Sequence, residues 1–161
     1  MTAYVPVPDP ITPAWLTTVL SETGALAAGQ VLSGSCEASG AFNSHTRRLR
    51  LRYSGDPIPG LAQRMVLKQN IEEPWAIEAG MEEVKFYQVA AALQPPRPGL
   101  VPCYAAASDQ ASGSSYLLFQ DLSETHAPPL TRAQQISIVN GVPSDLMIEH
   151  VIDALAQHHA Y

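Results

Sequence analysis

The residue with the clearest chemical potential in this sequence is a lysine at the end of a short apolar run. Residues 64–70 read RMVLKQN, and the apolar run at 65–67 is typical of a buried strand that presents Lys68 at its end. An ammonium group beside a buried strand costs free energy unless an anionic group neutralises it. The sequence therefore predicts an acidic partner for Lys68.

Glu83 is the partner that helical periodicity selects. Residues 75–93 contain no proline and are predicted to form a helix, whose apolar stripe comprises Ile77, Gly80, Val84, Tyr87 and Ala91. Glu83 borders this stripe, whereas Glu82 lies on the opposite, solvent side. A partly desolvated pair of this kind stabilises a fold only weakly, and it is better explained as a fixed cation for an anionic ligand. The alternative is a surface ion pair at a sheet edge with no function.

The elements that position this pair are predicted from periodicity and capping signals. Thr12 followed by Pro13 is typical of a helix start, and Ser144 is predicted to cap a last helix. The predicted strands are residues 30–38, 45–53, 64–69, 100–107 and 114–122. Because short turns join these strands, the predicted fold class is α+β, with a five-stranded, mostly antiparallel sheet and helix 75–93 packed on one face.

Composition and charge exclude several classes of function. The formal charge of −6 argues against a nucleic-acid partner or an anionic membrane. No apolar stretch approaches the roughly 18 residues of a membrane span, and the N-terminus lacks the basic start and apolar run of a signal peptide. A cytoplasmic location is therefore predicted. Neither the two cysteines, Cys36 and Cys103, nor the five histidines have metal-ligand spacing, so no metal site is predicted.

The strand at 45–53 leaves two interpretations open. Its two faces alternate cleanly, with Leu49, Leu51 and Tyr53 on one side and Arg48, Arg50 and Arg52 on the other. The first interpretation is a solvated sheet face. The second is a patch for an anion or a nucleic acid, although no aromatic residues are interleaved to stack on bases.

Five segments in chain order carry a resemblance to a known family. They read SGAFNSHTRRLRL, MVLK, EVKFYQ, LLFQDL and LAQHHAY. They resemble, respectively, the phosphate-covering turn, the lysine strand, the helix that pairs with that lysine, the hinge, and the helix that leads into the catalytic lobe of the aminoglycoside phosphotransferase and choline kinase superfamily. The resemblance covers about residues 30–161 and is closest to the ecdysteroid-kinase-like members.

This resemblance implies a protein-kinase-like N-terminal lobe that binds ATP. The residues that it implies for ATP binding are Gly40, Phe42, Asn43, Ser44, Lys68, Glu83, Gln120 and Leu122. Lys68 and Glu83 would form the pair that holds the phosphates, while the backbone of Gln120 and Leu122 would meet the adenine. Gln120 stands where the family usually has an acidic residue, and the turn at 40–43 is poor in glycine.

The catalytic part of the family pattern is missing from these 161 residues. The H-G-D-x-x-x-x-N loop and the metal-binding aspartate follow the last helix in the family, and none of the five histidines here begins such a loop. No catalytic residue and no Mg²⁺ ligand is therefore expected in this chain, which alone should be inactive. The last helix also reaches its end without a capping residue, which suggests a fragment of a longer polypeptide.

The expected organisation is a helical extension at 1–27, a nucleotide-binding lobe at 28–125, and a linker with one helix at 126–161.

The expected function is the ATP- and Mg²⁺-dependent transfer of phosphate to a hydroxyl of a metabolite or drug, with the metal ligands in the absent lobe. The alternative is a stand-alone, non-catalytic lobe that self-associates as a homodimer. The residues predicted to be under-covered, and so to drive that association, are Leu117, Leu118, Leu122, Ile152 and Leu155.

Overall fold

The computed structural model describes residues 3–39, 44–54, 61–92, 99–126 and 145–159. Its elements are α1 (Pro13–Glu22), β1 (Val31–Ser39), β2 (Ser44–Tyr53), β3 (Arg64–Asn70), α2 (Pro74–Ala92), β4 (Cys103–Asp109), β5 (Ser114–Gln120) and α3 (Asp145–His159). The chain forms two compact units, one of residues 1–93 with 101–121 and the other of residues 94–100 with 122–161. The first unit contains the whole sheet.

The sheet has five strands in the spatial order β1-β2-β3-β5-β4, and every neighbouring pair is antiparallel. This confirms the α+β class and the five-stranded antiparallel sheet. The strand that comes last in the chain, β5, therefore lies inside the sheet between β3 and β4. The edges are formed by β1 and β4, and each edge strand carries a register shift near its start.

One face of the sheet packs against α1. The side chain of Thr12 accepts a hydrogen bond from the Trp15 backbone N–H, which confirms the predicted N-cap. The helix buries Trp15, Leu16, Val19 and Leu20. They meet alternate residues of the strands in one core: Leu49, Leu51, Met65, Leu67, Ala105, Ala107, Tyr116 and Leu118. The segment predicted as an extension thus shares its core with the sheet.

The other face of the sheet packs against α2. Val84 of the helix is buried against Ala106 and Leu117, while Tyr87 stacks edge-on against Phe119 with ring centroids 4.8 Å apart. The predicted apolar stripe is largely right, but Ala91 is exposed. Ala91 lies in the last turn of α2, and the final residues of this helix are exposed to solvent.

Two contacts fix how closely α2 approaches the strands. Gly80 lies so near to β3 and β5 that a Cβ atom there would be 2.5 Å from the Ser115 Oγ and 3.1 Å from the Asn70 Cβ. The side-chain amide of Gln88 donates a hydrogen bond of 3.1 Å to the carbonyl oxygen of Ala106 in the edge strand β4. Gly80 therefore permits close packing, and Gln88 satisfies an acceptor of the sheet edge.

The prediction that Leu117 and Leu118 are under-covered is wrong. Their relative exposures are 2% and 0%. The reason is the strand order, because β5 lies between two strands and its two faces are covered by α2 and α1 respectively.

The second unit contains α3, which confirms the predicted last helix. Its predicted cap, Ser144, lies outside the described residues. Val151, Ile152 and Leu155 are exposed on this helix at 57%, 58% and 52%. Among the described residues, no helix combines the length and hydropathy needed to cross a bilayer.

Candidate functional site

Lys68 and Glu83 form an ion pair. The Lys68 Nζ lies 2.6 Å from the Glu83 Oε2, and the two side chains are 29% and 32% exposed. The neighbouring Glu82 points to solvent and pairs with Lys85 instead, also at 2.6 Å. The prediction that Glu83 rather than Glu82 meets the strand lysine is therefore confirmed.

Two local periodicities bring this pair together. On β3, Met65 and Leu67 are buried in the α1 core, so strand alternation turns Lys68 toward α2. On α2, Val84 is anchored against the sheet, and its neighbour Glu83 lies at the border of that buried stripe. The ion pair thus sits where the strand and the helix face one another at the edge of their apolar contact.

A small cavity adjoins the pair. It has a volume of about 30 Å³, and its lining includes Ser44, Lys68, Asn70, Glu83 and Ser115. This space admits a water molecule or a phosphate oxygen but not a whole nucleotide, so a larger ligand must lie across the open surface beside it.

Ser44 is the third predicted site residue at this cavity. It is buried at 7% exposure, and its Oγ lies 3.2 Å from the Oγ1 of Thr46. Thr46 is the direct cross-strand neighbour of Lys68. Two hydroxyl groups therefore lie on the strand next to the lysine, where they can donate hydrogen bonds to an anionic ligand.

Asn70 and Ser115 are site residues that the sequence reasoning missed. The Asn70 Oδ1 accepts hydrogen bonds from the Ser115 backbone N–H at 2.7 Å and from the Ser115 Oγ at 3.1 Å. The Asn70 Nδ2 donates to the carbonyl oxygens of Ile71 and Gly113. Asn70 lies two residues after Lys68 on the same face, and this spacing is the signal that could have revealed it.

Of the remaining predicted site residues, Gln120 is not among the residues that line this cavity. Gln120 ends β5, where its backbone N–H donates to the Pro102 carbonyl and its side chain accepts from the Tyr104 hydroxyl at 3.4 Å. Leu122 belongs to the second unit. Gly40, Phe42 and Asn43 lie outside the described residues.

The Tyr87 phenol and the Cys103 thiol, which lie near Glu83, are held in their neutral forms. Burial, and then the neighbouring Cys103 and Glu83, raise the pKa of the Tyr87 phenol. Burial also raises the pKa of the Cys103 thiol to about 12. A thiol with this pKa is protonated at neutral pH and is a poor nucleophile. The residues described contain no cluster of three or more His, Cys, Asp or Glu side chains suited to hold a metal ion.

The arrangement holds the ammonium group of Lys68 beside a polar cavity, at the border between β3 and α2. Lys68 contacts Glu83, and the hydroxyl groups of Ser44 and Thr46 lie on the neighbouring strand. Ammonium and hydroxyl groups in such an arrangement can donate hydrogen bonds to an anion. None of the family models, characterised proteins and solved structures with which the chain was compared matches it.

Proposed function

We propose that this chain is the ATP-binding lobe of a small-molecule phosphotransferase of the aminoglycoside phosphotransferase and choline kinase type. The observation that carries the proposal is the 2.6 Å ion pair between Lys68 of β3 and Glu83 of α2. It occurs within the chain order of hairpin, lysine strand and helix, which is the order by which kinases hold phosphates.

In this proposal Lys68 binds the phosphates and Glu83 sets its position. A free lysine side chain samples many rotamers, and binding would have to order it at a cost in entropy. The contact with Glu83 orders the ammonium group in advance and aims it at the polar cavity. Ser44 begins β2 and directly follows residues 40–43, to which the resemblance assigns the turn that covers the phosphates.

Transfer of the phosphoryl group requires parts that the resemblance assigns to a following lobe. Mg²⁺ neutralises charge between the phosphates, and a catalytic-loop aspartate positions the attacking hydroxyl. None of the five histidines in this sequence begins the family's catalytic loop. The proposed role of these residues is therefore to bind nucleotide in the cytoplasm, with an acceptor that carries a hydroxyl group bound mainly elsewhere.

The test is ATP binding to the purified protein by isothermal titration calorimetry. Lys68→Ala should weaken binding by about tenfold or more, because a charge-assisted contact with phosphate contributes at least about 1.4 kcal/mol. Lys85→Ala is the matched control, since it removes the same charge from the solvent side of α2, where Lys85 pairs with Glu82. Equal effects of the two substitutions, or no ATP binding by the parent protein, would contradict the proposal.

A second candidate, a self-association module, is favoured by α3 alone. Val151, Ile152 and Leu155 together leave a stripe of apolar surface exposed on this helix. A second copy of the chain could bury it, which would give the homodimer expected from the sequence. Sedimentation should show a concentration-dependent dimer that Ile152→Glu dissociates, and a strict monomer at high concentration would remove this candidate.

A further inference from the structure

Three exposed arginines form a row on one face of the sheet. Arg48, Arg50 and Arg52 occupy alternate positions of β2 and are exposed, whereas Leu49 and Leu51 between them are buried in the α1 core. Successive arginines on one face of a strand are about 6.8 Å apart. The row therefore projects from the face opposite to α1.

Lys68 projects from the same face. The register of β2 with β3 places Thr46 opposite Lys68, Arg48 opposite Val66, and Arg50 opposite Arg64. From cross-strand spacings, Lys68 lies about 7–8 Å from Arg48, about 14 Å from Arg50 and about 20 Å from Arg52. Arg48 is thus its diagonal neighbour, and the other two lie progressively further away.

The cations on this face differ in whether they are already neutralised. Lys68 is paired with Glu83, and Arg64 lies 3.6 Å from the carboxylate of Asp121. Within the part of the chain that the structure describes, Arg48 makes no ion pair, and α2 packs on β3, β4 and β5 rather than over β2. Arg48 is therefore the nearest cation to Lys68 that no described carboxylate neutralises.

This difference matters for a ligand that carries several negative charges. The Lys68–Glu83 pair as a whole carries no net charge, so a phosphate chain that contacts Lys68 is fully neutralised only by a further cation. An arginine supplies that charge together with a planar fork of donors that matches two phosphate oxygens. We infer that Arg48 is a phosphate-binding residue of the nucleotide site, and that it contacts the triphosphate bound at Lys68. This inference rests on the proposed function.

A neighbouring carboxylate reduces the attraction between Arg48 and a phosphate group. Glu37 of β1 is its direct cross-strand neighbour, is exposed, and forms no ion pair with it. Its carboxylate opposes an anion, so Glu37→Gln should tighten binding. Arg50 and Arg52 repeat the chemistry of Arg48 at greater distances from Lys68 and are therefore matched controls on the same strand and face.

The experiment titrates the whole protein with ATP and with inorganic tripolyphosphate by calorimetry at low salt. Arg48→Gln should weaken both ligands by about tenfold, Arg50→Gln by about two- to threefold, and Arg52→Gln by less than twofold. Arg47→Gln, on the opposite face of the same strand and paired with Asp9 at 3.8 Å, should also have an effect below twofold.

The outcomes separate this inference from the proposed function. Loss of binding in Lys68→Ala with no effect of Arg48→Gln overturns the inference and leaves the proposed function standing. Equal losses for Arg48, Arg50 and Arg52 overturn it as well, because they indicate only long-range attraction. Tighter binding of a ten-nucleotide single-stranded DNA than of tripolyphosphate overturns it in favour of a nucleic-acid surface. A graded loss that follows the distance from Lys68 supports it.

Discussion

Gly80→Ala tests the packing that holds the Lys68–Glu83 pair together. Alanine stabilises a helix interior by about 1 kcal/mol relative to glycine, so propensity alone predicts a more stable protein. The added Cβ, however, would lie 2.5 Å from the Ser115 Oγ and 3.1 Å from the Asn70 Cβ. Both distances are shorter than van der Waals contact, so either the hydroxyl or the helix must move.

The expected net effect is a loss of about 1–3 kcal/mol of unfolding free energy. Overpacking a well-filled contact costs about 1–3 kcal/mol. Ser115 is only 5% exposed, and its hydroxyl donates a hydrogen bond of 3.1 Å to the Asn70 Oδ1. Displacing this hydroxyl costs about 1 kcal/mol more. Together these costs exceed the gain in helix propensity.

Urea denaturation followed by circular dichroism measures this effect, with a constant m value as the sign of an unchanged transition. Ala79→Gly, at the exposed neighbouring position, calibrates helix propensity and should lose about 1 kcal/mol. Adding Ser115→Ala to Gly80→Ala should recover about 1 kcal/mol, since the closest clashing atom is removed. If Gly80→Ala proves more stable than the parent protein, the steric reasoning is refuted.

Three further predictions concern the ion pair and the thiols. A double-mutant cycle of Lys68→Ala and Glu83→Ala should give a coupling of about 1 kcal/mol, and Glu82→Ala with Lys68→Ala should give none, because only Glu83 contacts the lysine. In the native protein at pH 8, a thiol reagent should modify the exposed Cys36 at least about tenfold faster than Cys103, and equal rates would contradict the burial of Cys103. Burial raises the pKa of the Cys103 thiol from 9.0 to about 12, so the unfolded state releases this proton at a lower pH than the folded state does. Stability should therefore fall by about 1.4 kcal/mol per pH unit between these values, and urea titrations of Cys103→Ala should lack this contribution.

Local periodicity was enough to predict the elements and the central ion pair. The alternation of leucine and arginine in β2 specifies which face of the strand is buried, and the observed burial follows it. The two-residue period of a strand predicts the face on which Lys68 lies, and the 3.6-residue period of a helix predicts the face on which Glu83 lies. No knowledge of the strand order was needed for either.

Features that depend on strand order could not be predicted in this way. Asn70 and Ser115 are 45 residues apart, and their hydrogen bonds exist only because β5 pairs with β3. The same pairing buries Leu117 and Leu118, which the sequence placed on a surface. The sequence predicted Gly80 on the apolar stripe of a helix, and only the packed structure shows that a side chain there would meet the strands.

The position of β5 inside the sheet has a consequence for synthesis of the protein. A ribosome releases β1, β2 and β3 first, and this meander can form by local pairing while one edge of β3 remains open. That edge is closed only after α2 and β4 have also emerged, because its partner is the last strand of the sheet. During this interval the nascent chain exposes the unpaired edge of β3, and an unpaired strand edge is a feature that leads to aggregation. Translation pauses or truncations before β5 should therefore lower the yield of folded protein far more than changes after it.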